Sequence, residues 1–497
     1  MRTHPIAPAI LFFLSLAGVC AHSQTLSGSG TLPGSGALPL RTAVEVALTG
    51  NLQIVAAALS VRIAEQQVRE AYAGVWPQVS AEASYLRSLG AWSQRVVPDE
   101  DPEIESDTSN APDNTWTASL KLNQTVMDFR VFSGLAAADN LLSLRGEERR
   151  GAAHQVVDLV RQSYFNVLLA AEREALTEQS IARVRQTLRE TRARHSEGFA
   201  SDDELLRAEV QFTNLETRLI LARNQVAAAR GRLLVALGVD PLQPVAVSGS
   251  LSELQLAPGA VNSAGNADLL AASGAVALAA MTEEELRQAA FTLRSDLRQL
   301  RSSVTLGEIQ VEVQQREVLP VIRAFGSVDF RVADNDEDDV FGSPLGPERY
   351  SQWDLSASAG LSIQVPVFSG FRPSARLEQR REELRLVTSR LRQAELDMVN
   401  QVRTLAASMR EARARAASQR VAIVQSQRGY DIATARYRAG VGSQFEVVAA
   451  ETTLREAEFN YAQAVYDYLS TASRLEVATG QVPLVDRSAS TEEAADG

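Results

Sequence analysis

Between Leu205 and Ala236 the apolar residues recur at alternating steps of three and four: Leu205, Ala208, Phe212, Leu215, Leu219, Ala222, Val226, Ala229, Leu233 and Ala236. The pattern returns 242 residues later as Val447, Ala450, Leu454, Ala457, Tyr461, Ala464, Tyr468, Thr471, Leu475 and Ala478. This spacing lays a single apolar seam along a helix, and a seam sustained over more than four heptads requires a partner helix. The alanines in it let two backbones approach closely. Upstream of the first seam, Ser133 to His195 reads as one helix reaching on the order of 90 Å at about 1.5 Å per residue. Gly198 and Gly440 end the upgoing helices, and Ser201-x-x-Glu204 and Ser443-x-x-Glu446 restart the downgoing ones as capping boxes. Each half of the chain therefore carries a long helical hairpin with its tip near 198 or 440.

The halves are copies. Pro77 and Pro320 lie 243 apart in "WPQVSAEASY" and "LPVIRAFGSV", and Arg232 and Arg474 lie 242 apart in "RLLVALG" and "RLEVATG". The tetrapeptide VFSG also occurs twice, at 131 and 367, but its spacing of 236 disagrees. Strand alternation decides between the registers. An offset of 241 puts Leu120 opposite Leu361 and keeps apolar residues on one face, whereas 236 puts it opposite Ser356. The VFSG copies are not equivalent positions.

Each half also carries two strand-like stretches, expected at about 77–86 and 115–124, then 320–331 and 353–365. Trp116, Ala118, Leu120 and Leu122 alternate with Thr117, Ser119, Lys121 and Asn123. Trp353, Leu355, Ala357, Ala359, Leu361 and Ile363 alternate with polar or small residues. Strands of about ten residues with one apolar and one polar face suit a barrel wall between lipid and water. A half-buried sheet in a soluble protein gives the same alternation, but Tyr85, Trp116, Phe330 and Trp353 flank the inter-strand loops on the apolar face, as a membrane-interface girdle requires. A closed barrel needs at least about eight strands, so a chain with four must share its edges with other copies.

The remaining segments frame these repeats. Residues 1–21 read as a secretory signal peptide with cleavage after Ala21. Lipidation of Cys20 is the alternative, and Ala17 and Val19 depart from the usual site. A flexible leader is expected over 22–39, the first repeat over 40–239, a Gly-, Ser- and Pro-rich joint over 240–282, the second repeat over 283–482 and a disordered acidic tail over 483–497. The formal charge of −12 argues against nucleic acid. No apolar run after the signal is long enough for a transmembrane helix, which leaves a β-barrel open.

With these features the chain resembles the TolC-type outer-membrane efflux proteins from Leu40 to Val482. "QTVMDF" and "VPVFSG" resemble the family's strand-to-helix junction, and both tips carry its Gly-x-x-Ser-acidic pattern, most fully in "ARYRAGVGSQFEVVAAETTLREAEFNYAQAVYDYL". The resemblance implies an α+β membrane protein: a homotrimer with a 12-stranded outer-membrane barrel continued by a periplasmic helical tunnel. Gly198, Ser201, Gly440 and Ser443 at the tips would face a periplasmic adaptor linked to an inner-membrane pump, and cargo would pass without chemistry. The family's gate acids map onto Glu446, with Tyr437 able to bond Glu204. The second acidic ring falls on Ala449, and an arginine common two residues past the tip glycine is replaced by Gly442. Helix capping alone would also explain Glu204 and Glu446.

An enzyme has little support. His154 and His195 lack metal-ligand spacing, and "ADNDEDDV" begins like a calcium loop but has Asp339 where glycine belongs and Leu345 in place of the last glutamate. No catalytic residue, cofactor or metal is expected. The alternative function is a soluble periplasmic coiled-coil scaffold or adaptor, since long heptads suit both.

Overall fold

The computed structural model describes residues 37–87, 114–256, 261–334 and 351–482. The expected signal peptide, most of the expected leader, the acidic stretches between the paired strands and the expected tail lie outside them. Two helices, α1 (Leu40–Gly50) and α2 (Leu52–Ala73), precede the strands β1 (Gln78–Arg87) and β2 (Asn114–Met127). The first hairpin follows as α3 (Phe129–Ser196) and α4 (Asp202–Leu237). After the joint come α5 (Ala264–Ala272), α6 (Ala275–Ala280), α7 (Glu283–Leu293) and α8 (Ser295–Gln315), then β3 (Val321–Asp334) and β4 (Ser351–Gln364). The second hairpin is α9 (Arg372–Arg438) and α10 (Gln444–Thr479).

The strands form one antiparallel sheet in the order β1-β2-β3-β4, so β1 and β4 keep open edges. Its register carries the duplication. Ala81 pairs with Leu120 in the first hairpin, and shifts of 243 and 241 carry that pair to Ala324 and Leu361, which pair in the second. The two VFSG copies differ in structure as well. The first lies inside α3, and the second precedes α9, whose first turn holds Pro373 and where Gly370 has φ 59°. Proline lacks the N–H that would continue a helix back through that copy.

The helices pack in the order α4-α3-α10-α9, each hairpin closed on itself and the two joined where α10 lies on α3. At about 1.5 Å per residue, the 68 residues of α3 extend roughly 100 Å. The main core gathers near the ends of α4 and α10 that lie away from the hairpin tips, where Tyr164, Phe165, Leu233, Leu237, Leu469 and Leu475 are buried together.

Two expectations about the flanks need correction. The joint over 240–282, where the sequence shows no sustained helical period, holds α5 and α6, and its Leu251, Leu254, Leu269 and Leu278 are buried in the main core. Its helices are too short for a period to emerge from the sequence, so alanine propensity and burial decide. Nor is the leader wholly loose. Leu38 is buried and bridges to Val247, and its carbonyl accepts from the Tyr164 hydroxyl at 2.8 Å.

Candidate functional site: the hairpin tips and the barrel wall

Both tips close the same way. Gly198 and Gly440 adopt φ 79° and 76°, conformations that any side chain would strain. The Phe199 N–H reaches the carbonyl of Arg194 at 2.8 Å, and the Val441 N–H that of Arg436 at 3.1 Å. Ser201 and Ser443 then cap α4 and α10, each accepting from the N–H of the glutamate three residues on, at 3.3 Å. Phe199, Val441 and Phe445 stand exposed around these turns, unnoticed in the sequence because isolated apolar residues carry no period.

The capping boxes are only half made, since neither glutamate bonds back to its cap among the described residues. Glu446 instead faces Arg436 across the tip at 3.4 Å, an exposed pair, while Glu204 has no partner among the described residues. Gly442 makes room for this turn. A Cβ there would lie 2.9 Å from Cβ of Arg436 and 3.1 Å from the nitrogen of Tyr437. The arginine that the resemblance led us to expect at position 442 is absent, and the cation beside Glu446 comes from inside the upgoing helix.

Tyr437 does not meet Glu204, contrary to the expectation from resemblance. It is buried with Ala433 against Val447 of α10, from where its side chain reaches α3, and Glu204 sits on α4, beyond α3 in the packing order. Its hydroxyl lies 3.0 Å from that of Thr191. The Arg194 guanidinium covers the ring at 4.7 Å and donates to the Tyr437 carbonyl at 2.5 Å. One residue on, Arg438 donates to Glu190 at 2.8 Å. Burial alone would raise the Glu190 carboxyl, but the bonds from Arg438 and Gln186 hold it below the usual range. The first hairpin is therefore tied to the second through α3. A sequence signal existed: Arg194 and Arg436 both stand four before a tip glycine, 242 apart.

Three turns deeper, Arg183 of α3 bridges two acids of α10, Glu458 at 3.3 Å and Glu451 at 3.6 Å, and Ser180 donates to Glu451. Burial pushes the Glu458 carboxyl above its ordinary value against the pull of Arg183.

At the other end of the molecule, the sheet shows the two-faced wall. Tyr85 pairs with Trp116, Trp116 with Val332, and Val332 with Trp353, so three of the four girdle candidates share one row. Phe330 lies one apolar row further from the loops, between Ala118 and Leu355. The Tyr85 and Trp116 rings are 5.2 Å apart, and the Tyr85 hydroxyl donates to Asn114 at 2.8 Å. On the opposite face Lys121 and Glu82 pair at 2.8 Å. Among the described residues no single helix is long and apolar enough to cross a membrane.

A sheet with an apolar and a charged face, continued by helices of this length, defines a wall segment of an outer-membrane channel with a large periplasmic portion. The chain belongs to the outer membrane efflux protein family, whose model matches residues 43–239 and 268–481. It is 24% identical over 478 residues to the outer membrane efflux protein BepC of Brucella suis, covering 96% of this chain and 90% of that one. It is 22% identical over 477 residues to the outer membrane protein TolC of Escherichia coli, covering 95% and 85%. Among solved structures the CusC channel shares the fold at a TM-score of 0.67 and 18% identity, covering 91% of this chain and 96% of that one.

Proposed function

We propose that three copies of the chain close a 12-stranded barrel and a helical duct through which an efflux or type I secretion system exports its cargo. The open edges of β1 and β4 carry this reading. A strand edge facing lipid leaves its backbone groups unpaired, and each costs several kcal/mol, so β4 of one copy requires β1 of the next. The tips at Gly198, Ser201, Gly440 and Ser443, with Phe199, Val441 and Phe445 exposed beside them, would dock a periplasmic adaptor coupled to an inner-membrane pump. Apolar residues standing free at the end of a long rigid hairpin suit such a contact.

The gate in this reading lies at the tips. Three copies of Glu446 around a narrow axis concentrate negative potential. Arg436 balances part of it and ties each acid to its own upgoing helix. Tyr437 contributes by holding α9 to α3 at Thr191, and Glu204 adds unpaired negative charge. The tilt of charge at the mouth governs which ions enter, and the protein performs no chemical step. Tyr85, Trp116, Phe330 and Trp353 would anchor the barrel at the outer interface against outer-membrane lipid. A soluble coiled-coil scaffold would share the hairpins, but it has no use for a sheet whose apolar face stays bare.

Reconstitution in a planar bilayer tests this. The wild-type protein is expected to open cation-preferring channels, and Glu446→Gln to weaken that preference. Protein that inserts without conducting would contradict the duct, and unchanged selectivity in the variant would confine Glu446 to a structural role.

A further inference from the structure

A cavity of about 230 Å³ lies where α3, α9, α10 and the break between α7 and α8 come together. The start of α8 forms one wall. A helix leaves its first backbone N–H groups unpaired, and a capping side chain ordinarily accepts from one of them. The internal repeat shows this at the start of α2, where Asn51 accepts from the Gln53 N–H at 2.8 Å and donates to the Ala236 carbonyl at 2.7 Å. Shifted by 243, Asn51 becomes Arg294, whose side chain caps nothing and turns to Asp296 and Gln401, each at 2.8 Å. The Leu297 N–H reaches the Asp296 carboxylate at 2.8 Å, while the N–H groups of Ser295 and Asp296 donate to nothing among the described residues. The positive end of a 21-residue helix therefore borders the cavity.

Other polar groups lining it are also unmet. His154 is 3% exposed and Ser295 8%, both face the cavity, and neither side chain makes a hydrogen bond among the described residues. Gly151 leaves room for the Ser295 hydroxyl, since a Cβ there would lie 2.9 Å from it. Of the two arginines at the cavity, Arg294 is engaged, and Arg474 stands exposed with no partner among the described residues. One acceptor lines it as well. Asp158 receives Ser473 at 2.7 Å and Gln162 at 3.2 Å on the same oxygen, Oδ1, which leaves Oδ2 without a donor among the described residues. The repeat equivalents of His154 and Ser295 are Leu396 and Leu52, so the fold does not demand polar groups at these positions. Buried polar groups without partners cost stability, and a ligand that meets them recovers it.

We infer that this cavity binds a small oxyanion that still carries a proton, inorganic hydrogen phosphate. The N–H groups of Ser295 and Asp296, the Ser295 hydroxyl, one ring N–H of His154 and the Arg474 guanidinium donate to its charged oxygens. His154 serves as a neutral donor, because burial and then Arg150 push its imidazole down to about 4. Oδ2 of Asp158 accepts the remaining hydroxyl of the anion. That acceptor sets the specificity. Sulfate has no proton to give, and a phosphate monoester above its second ionisation has none either, so each turns an oxygen toward a carboxylate. The bound anion bridges α3 of the first repeat to α8 and α10 of the second, and it stabilises the fold by mass action. Every residue involved belongs to one chain, so the inference is independent of the three-copy reading.

Titration calorimetry of the full chain in detergent, at constant ionic strength and at about pH 8, tests this with sodium phosphate, sodium sulfate and glycerol phosphate. Phosphate is expected to saturate one site per chain, with sulfate and glycerol phosphate at least about tenfold weaker. Ser295→Ala and Arg474→Gln are each expected to weaken phosphate about tenfold, with thermal midpoints in phosphate-free buffer close to wild type. Asp158→Asn is expected to turn the preference toward sulfate, since its amide keeps an oxygen for Ser473 and Gln162 and offers the cavity a donor. No saturable phosphate heat would leave the cavity to water and overturn the site. Phosphate affinity unchanged in both Ser295→Ala and Arg474→Gln would overturn it too. Sulfate or glycerol phosphate bound as tightly as phosphate by the wild type, or a preference unmoved by Asp158→Asn, would overturn the role of Asp158 and with it the choice of a protonated anion.

Discussion

Arg161 of α3 and Glu476 of α10, 315 residues apart in sequence, form an ion pair with both side chains buried where the two repeats join. The joint takes part. A Cβ on Gly274 would lie 2.6 Å from the Glu476 carboxylate, so only glycine leaves room for the pair. Losing one partner strands the other charge, at a cost of about 3–5 kcal/mol, whereas replacing both with apolar residues of similar size is close to neutral. Arg161→Met is therefore expected to lower the thermal midpoint of helix unfolding sharply, and adding Glu476→Met to recover most of it. A single variant as stable as wild type would contradict this account.

His154 makes stability depend on pH. Burial, then the positive charge of Arg150, pushes its imidazole from 6.5 down to about 4. The depressed value means that the folded protein holds the ring neutral. Its stability contribution is complete above about 6.5 and is lost progressively as pH falls toward 4, to the extent of about 3 kcal/mol. Melting at a series of pH values should show this decline in the wild type and a flatter profile in His154→Leu. Identical profiles would remove His154 as the cause.

At the tip, Tyr437→Phe deletes the bond to Thr191 but keeps the ring beneath Arg194. A buried hydroxyl left alone costs about 1–3 kcal/mol, so in the proposed gate the resting current across a bilayer should rise, and Thr191→Val in the same chain should lower it again in part. Gly442→Arg adds a side chain whose Cβ collides with Arg436. Conductance of this variant should also rise in the closed state, through displacement of Arg436 from Glu446.

The aromatic row makes a spectroscopic prediction. If Trp116 and Trp353 lie at the lipid interface, brominated lipids should quench the fluorescence of a chain keeping only those two tryptophans. Replacing both with phenylalanine should abolish the quenchable component. Emission insensitive to brominated lipid would place the apolar face elsewhere.

Much of this was written in period and phase. The two seams announce the hairpins because 3.6-residue repetition persists for tens of residues, and strand alternation chose the offset of 241 against the misleading VFSG match. Tip glycines were legible because positive φ leaves few alternatives. The tip contacts were not. Whether Tyr437 meets Glu204 or Thr191 depends on which helix of the first hairpin lies toward the second, a fact of packing order that periodicity does not encode. The clamp of Arg183, Glu451 and Glu458 was hidden similarly, since its members are 268 and 275 residues from the arginine. The joint escaped because its burial arises from tertiary contacts of isolated leucines such as Leu251 and Leu254.

The most direct test of the shared barrel is the particle mass of protein extracted from outer membranes in mild detergent, with the detergent contribution subtracted. A mass of three chains is predicted, because two open strand edges per copy must close on neighbours. A monomer or dimer, stable in the same detergent and still inserted in the outer membrane, would contradict it.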